Sequence, residues 1–194
     1  MDTSIIIPDG YPYEGVKLEE IIASESIQNR VSEIGKEISE MYHGKVPIII
    51  GVLNGAFLFM ADLVRSLNLQ FEVDFIKIDS YGDGTKSSGT VRLLKDISAD
   101  ITGRDVIIVE DIVDTGLSLK FLKSRMEEAS PNSLRFVTFL LKTDIASTDV
   151  KVDWVGFNID DRFVVGYGLD LKQIYRGLPA VYAINEDGKN SEKK

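Results

Sequence analysis

Asp105-Val106-Ile107-Ile108-Val109-Glu110-Asp111-Ile112-Val113-Asp114-Thr115-Gly116-Leu117-Ser118 is the stretch around which the chain is organised. Its apolar run from Val106 to Val109 is what a strand shows when both of its faces are buried. Three carboxylates follow, Glu110, Asp111 and Asp114, then Thr115-Gly116-Leu117-Ser118, and Leu119 to Glu128 reads as a helix. Amides and hydroxyls exposed at a helix N-terminus seat a phosphate, where the helix dipole favours an anion. Acids beside that seat would repel a bare phosphate, so they make sense only when facing sugar hydroxyls, a Mg2+ ion or a proton to be removed. A phosphorylated ribose with a metal-bound diphosphate offers all three. The plainer alternative is a βα turn whose acids are solvated and whose Asp114 caps the helix.

Composition narrows the classes. The 194 residues suit one α/β domain with a real core, and a hydrophobic share of 44% is ordinary for a globular chain. No apolar run approaches the roughly 20 residues that span a bilayer. Met1-Asp2-Thr3-Ser4-Ile5 lacks the basic-then-apolar layout of a signal peptide, and there is no cysteine, so a cytoplasmic enzyme without disulfides or thiolate metal sites is expected. The net charge of −9 argues against nonspecific nucleic-acid binding, which needs a basic surface. An anionic substrate must then be received by amides, a few placed cations and a metal.

Taken in order, the apolar positions after Leu18 (Ile27, Val31, Ile34, Ile38, Met41) predict an amphipathic helix ending at Gly44. His43, the lone histidine, reads as a solvated cation at that helix end, and a single histidine supports neither a Ser-His-Asp apparatus nor a multi-His metal site. Pro47 to Leu53 reads as a second buried strand, broken by the turn signal Asn54-Gly55 and followed by a helix from Ala56 to about Leu67. Phe71 to Ile78 reads as a strand running into a Gly- and Ser-rich stretch, Asp79 to Gly89, with the composition of a mobile loop. Val91 to Ile97 reads as a return strand and Ser133 to Leu141 as a buried one; the remainder includes Trp154 to Ile159 and Arg162 to Asp170. Lys142 follows a strand end, usually a surface charge, but the place where an α/β sheet gathers ligands. The tail 186–194 is polar. No repeat or linker interrupts the chain.

The central stretch resembles the phosphoribosyl-diphosphate motif of the type I phosphoribosyltransferases: an apolar strand, two acids, two aliphatic residues, then Asp-Thr/Ser-Gly. The resemblance extends from the strand before Leu53 to Arg176, with motifs in the family's order. It points to the purine-salvage branch that acts on hypoxanthine and guanine. Leu53-Asn54-Gly55 is similar to that branch's pyrophosphate-binding loop, Val-Leu-Lys/Arg-Gly, with Asn54 in place of the basic residue. In the family the bond before the basic residue is often a cis peptide, which here would be Leu53–Asn54. Ser80-Tyr81 resembles the start of the family's lid, and Phe163-Val164-Val165-Gly166-Tyr167-Gly168-Leu169-Asp170, with Arg176 beyond, its purine-binding end.

The resemblance implies an α/β type I phosphoribosyltransferase fold: a central, mostly parallel twisted sheet flanked by helices, a small hood and a mobile lid loop. It implies one domain over 1–194, with a core at about 20–160 and a hood from about 1–15 and 160–185. The implied reaction joins a 6-oxopurine to phosphoribosyl diphosphate and releases pyrophosphate. Ile112, Val113, Asp114, Thr115, Gly116, Leu117, Ser118 and Leu119 would hold the 5′-phosphate and ribose, with Glu110 and Asp111 on the ribose hydroxyls and Mg2+. Asp114 would be the general base. Leu53, Asn54, Gly55 and Arg176 would receive pyrophosphate. Lys142, which can only donate, would face the 6-oxo group; Phe163 would stack on the purine, Val164 would offer main-chain groups, and Asp170 would hold a second Mg2+. Phe163 alone would read as a core aromatic. Family members assemble as homodimers or homotetramers, and neither nucleic acid nor membrane is an expected partner. The rivals are a phosphoribosyl-diphosphate-sensing regulator that binds nucleic acid, an enzyme for xanthine or another base, and a generic nucleotide binder, which lacks any Gly-x-Gly-x-x-Gly sequence.

Overall fold

The computed structural model describes residues 3–81, 90–143 and 150–184. The chain runs through β1 (Ile5–Ile6), β2 (Lys17–Ile22), α1 (Ser24–Met41), β3 (Ile48–Leu53) and α2 (Phe57–Ser66), then β4 (Glu72–Tyr81) and β5 (Thr90–Lys95). The central stretch forms β6 (Asp105–Val113) and α3 (Leu117–Glu127). After them come β7 (Ser133–Lys142), β8 (Trp154–Ile159), β9 (Val164–Val165) and β10 (Val181–Ile184). The chain divides into two units, Arg30–Asp161 and a smaller one made of Met1–Asn29 with Arg162–Lys194.

The larger unit is built on a six-stranded sheet in the order β5-β4-β3-β6-β7-β8. All its pairings are parallel except that of β5, which returns antiparallel on β4. Parallel strands need cover on both faces, and β3 shows it: Ile48, Ile49 and Ile50 are all fully buried. Each such side chain contributes about 1.5–3 kcal/mol by leaving water. Ile48, Ile50, Val106 and Ile108 pack with Leu119, Leu122 and Met126 of α3. The alternate positions Ile49, Ile107 and Val109 are buried as well, while Phe59 of α2 lies 5.4 Å from Phe139, which meets Phe157 edge-on at 5.8 Å. A Cβ on Gly35 would fall 2.0 Å from Ser66 Oγ, so the glycine lets α1 and α2 approach closely. At the β8 edge, Arg30 donates through Nε and Nη2 to the Val155 carbonyl at 3.2 and 2.9 Å.

From β3 the chain steps outward to β4 and β5, then returns to lay β6 on the other side of β3 and continues to β7 and β8. The strand order therefore reverses between β3 and β6. Open α/β sheets take ligands outside the carboxyl ends of the strands at such a point. Asn54-Gly55 leaves one of those two ends and the turn at Asp114 the other.

The smaller unit carries a four-stranded antiparallel sheet, β1-β2-β10-β9, around Ile7, Leu18, Val165, Ala180 and Tyr182. Four differences from the sequence reading have local causes. Leu18 lies in β2 rather than leading into a helix, because Lys17 to Ile22 pairs with both β1 and β10. Along α1 the buried face runs Ile27, Val31, Ile34, Ile38 and then Tyr42, leaving Met41 48% exposed; a 3.6-residue period carries the stripe four positions past Ile38. The helix after the central motif starts two residues early, at Leu117, directly after Gly116 in the left-handed region at φ 76°. Pairing with β5 also carries β4 on to Tyr81, so the first two residues of the expected lid, Ser80 and Tyr81, are strand. The rest of the lid stretch, 82–89, and the polar tail lie outside the described residues.

The connection from β5 to β6 is tied down by Asp74, whose carboxylate accepts from the amides of Phe75, Ser98 and Ala99 at 2.7, 2.6 and 2.8 Å. Burial raises this carboxyl, but the Ala99, Phe75 and Ser98 amides, aided by Lys95, outweigh it and hold it below its ordinary value. Asp74→Ala is expected to destabilise the protein by about 1–3 kcal/mol in urea unfolding at pH 7. The wild-type contribution is full above the unfolded value of about 3.9 and is lost as pH falls through the lower native one. The two proteins should therefore converge in stability as unfolding is repeated at successively lower pH.

Candidate functional site

Strand β6 continues through the acids, so Glu110 and Asp111 stand on the strand and only Asp114 lies in the turn beyond it. Glu110 is 5% exposed, one of two buried polar or charged residues among those described. Burial first, and then the charge of Asp111, pushes its carboxyl well above the ordinary carboxylate value. Asp111 is half-buried and accepts from the Ile112 amide at 2.8 Å. Across the strand-order reversal, a Cβ on Gly55 would sit 1.5 Å from Asp111 Oδ2. The glycine of the β3 loop is thus what admits the Asp111 carboxylate.

The Leu53–Asn54 bond is cis. The loop is tight, with the Ala56 amide on the Val52 carbonyl at 3.3 Å and the Phe57 amide on the Asn54 carbonyl at 3.3 Å, while the Asn54 side chain is exposed.

Asp114 does not cap α3, which has no side-chain cap; its nearest local acceptor is Thr115 Oγ1, 3.5 Å from the Leu117 amide. The amides that follow it in the first turn have no intrahelical acceptor and suit an external one. Val113 and Leu119 are buried in the core, so at this seat they offer main-chain groups only, beside the exposed Asp114 and Thr115. The Asp114 carboxylate instead meets Lys142 Nζ at 3.3 Å, and the same ammonium donates to Asp161 Oδ1 at 2.8 Å. Lys142 is the last residue of β7, paired with Ile159. Burial alone would lower the lysine, but the hydrogen bond to Asp161 and the charge of Asp114 outweigh it, so Lys142 is held as a cation. Asp161 was not visible as a site residue in the sequence. It sits in Asp160-Asp161-Arg162, which reads as a solvated loop, and only the strand register shows that its neighbour's end carries a lysine.

The remaining candidates belong to the smaller unit. Phe163 is 50% exposed rather than packed in a core, and Val164 is buried in β9. Asp170 and Arg176 pair at 2.6 Å; the Gln173 amide donates to the other Asp170 oxygen at 2.7 Å. Arg176 also donates to the Gly168 carbonyl at 2.7 Å and to Gln173 Oε1 at 3.0 Å. Lys172, Gln173 and Tyr175 hold left-handed backbone angles in this bend.

Hard oxygen donors suit Mg2+, which keeps several waters and takes one or two carboxylates plus substrate phosphates. Glu110 and Asp111 match that pattern, and the charge of Asp111, second to burial in raising Glu110, is one that a bound cation would offset. No cluster of three or more potential metal-binding side chains occurs among the described residues, so the pair fits a metal brought with an anion better than an all-protein cage.

Residues 17–172 match the family model described as a phosphoribosyl transferase domain. The chain is 44% identical over 161 residues to the hypoxanthine-guanine phosphoribosyltransferase of Bacillus subtilis (strain 168), covering 83% of this chain and 89% of that one. It is 42% identical over 173 residues to the enzyme of the same name from Aquifex aeolicus (strain VF5), covering 89% and 97%. The crystal structure of a hypoxanthine phosphoribosyltransferase from Staphylococcus aureus superposes with a TM-score of 0.83 at 37% identity, covering 87% of this chain and 92% of that one.

A carboxyl raised in the native state penalises folding once the unfolded chain has lost its proton, so the Glu110 penalty is absent below about pH 4.3 and grows as pH rises toward the native value. Glu110→Gln should therefore melt higher than the wild type at pH 7 in the absence of ligand, with the gain vanishing in scans below about pH 4.3.

Proposed function

The chain belongs to the phosphoribosyl transferase family, and from that premise we propose that it transfers the 5-phosphoribosyl group of phosphoribosyl diphosphate to hypoxanthine or guanine, forming the nucleoside monophosphate and pyrophosphate. The observation that carries this reading is the pairing, at the strand-order reversal, of an uncapped helix N-terminus with an acid pair on the preceding strand. The amides from Asp114 to Leu119, with Thr115 and Ser118, seat the 5′-phosphate. Glu110 and Asp111 accept from the ribose 2′- and 3′-hydroxyls.

In the reaction the purine N9 forms a bond to the anomeric carbon as the bond from that carbon to the diphosphate oxygen breaks. The purine N7 proton passes to Asp114, which the Lys142 ammonium holds at the mouth of the β6 turn. Positive charge growing on the ribose ring is met by the carboxylates of β6. The Leu53–Gly55 backbone and Arg176 take the leaving pyrophosphate; with Asn54 exposed and uncharged, main-chain groups do this work at the loop. Mg2+, held by Glu110 and Asp111 with a second ion at Asp170, would offset the negative charge that grows on the diphosphate.

Base choice follows from hydrogen-bond polarity. The Lys142 ammonium has donors only, so it matches a 6-oxo group and opposes the amino group of adenine. Donor facing donor costs on the order of 1–3 kcal/mol, roughly ten- to a hundredfold in selectivity. Phe163 offers an exposed ring to stack on the purine, and Val164 offers main-chain groups to its edge. Assembly as a homodimer or homotetramer belongs to the same reading. No helix among the described residues is long and apolar enough to cross a membrane.

The deciding experiment is pyrophosphate release with hypoxanthine, guanine, xanthine and adenine, with and without Mg2+: turnover with an oxopurine, lost on chelation, is expected, and silence with every base sinks the reading. Asp114→Ala should cut kcat by about 10²–10⁴-fold while phosphoribosyl diphosphate still binds by calorimetry. Lys142→Gln, which supplies an acceptor as well as a donor, should lower the preference for hypoxanthine over adenine by about tenfold or more in kcat/KM.

A further inference from the structure

Three adjacent parallel strands bring one charged residue each to a single place. Asp114 follows the end of β6, Lys142 closes β7, and Asp161 lies two residues beyond β8. The lysine is in the middle, 11% exposed at its side chain, with half-exposed acids on either side: Asp114 at 49% and Asp161 at 55%. Its shorter contact, 2.8 Å against 3.3 Å, is to Asp161, the acid that the proposed chemistry leaves without a task.

We propose that Asp161 is a positioning residue that anchors the Lys142 ammonium beside the base-binding position and keeps it from collapsing onto Asp114. This rests on the reading of Lys142 and Asp114 given above. An ammonium has three donors: one reaches Asp161 and one Asp114, which leaves the third for the acceptor on an incoming oxopurine. Without Asp161 the only counter-charge left among these contacts is the Asp114 carboxylate. Lys142 would then settle on the lone pairs that must receive the purine proton, and its free donor would turn from the 6-oxo group. One acid thus accepts the proton while the other holds the lysine for recognition, a division that the near-equal exposure of the two carboxylates does not reveal.

Solvent screens a half-exposed pair, so the expected effect is modest. In the full chain, Asp161→Ala should raise KM for hypoxanthine about three- to tenfold and reduce the preference for hypoxanthine over adenine by a similar factor, with KM for phosphoribosyl diphosphate unchanged. Asp161→Asn, which keeps the shape and an oxygen acceptor, should recover part of both losses. Lys142→Gln is measured alongside. If Lys142→Gln relaxes selectivity while Asp161→Ala leaves KM and selectivity as they were, or moves the KM of both substrates together, the role of Asp161 is overturned and the reading of Lys142 stands. If Lys142→Gln leaves the 6-oxo preference unaltered, the reading itself fails and the role of Asp161 fails with it.

Discussion

The contact between Gly55 and the Asp111 carboxylate sets how closely the loop after β3 and the acids of β6 can lie, and the chemistry proposed for the larger unit rests on that closeness. A parallel sheet makes neighbours of these two strands, but it does not bring a loop backbone against a side chain one strand away. That needs a residue with no side chain at the point of contact. With any other residue the Asp111 carboxylate would have to leave, and the acids of β6 would be separated from the loop after β3. The geometry is therefore held by sterics at one atom as much as by the pairing of β3 with β6.

Charge is distributed in a way that suits a chain with a net charge of −9. Cations at the candidate positions do not form a basic patch; each is held by an acid of its own, Lys142 by Asp161 and Asp114, Arg176 by Asp170. The two differ in kind. Arg176 is fixed as a fork through Gly168, Gln173 and Asp170, a shape that matches phosphate oxygens, whereas Lys142 is a compact point charge suited to a single acceptor. Amide donors at the start of α3 add attraction for an anion without adding a formal charge.

Much of the larger unit was legible because its strands are buried on both faces. Ile48 to Ile50 and Val106 to Val109 are continuous apolar runs, and such runs between Gly-bearing turns have few other readings. The acids of β6 were legible because carboxylates packed against an apolar run call for partners, although Glu110 itself is buried within the strand. The smaller unit was harder. β1 and β9 are two residues each, and Lys17 to Ile22 has charges at three of its six positions, so nothing local distinguishes it from the start of the following helix. Met41 and Tyr42 show the limit of counting spacings, because three- and four-residue steps are equally allowed until the helix end decides between them. Asp161 was out of reach altogether: its meaning comes from the register of β7 against β8, and one of two adjacent aspartates in a polar loop carries no mark of it.

The guanidinium of Arg30 has a consequence for how separate molecules behave toward each other. β8 ends the sheet, and its outward carbonyls are the groups that a strand from another chain would use to extend it. By placing two donors on the Val155 oxygen, Arg30 occupies one of those groups in the middle of the strand. A foreign strand would have to displace a charged, doubly bonded side chain before its ladder could grow. The outermost strand is in this way made a poor template for sheet-to-sheet polymerisation by a single residue of α1.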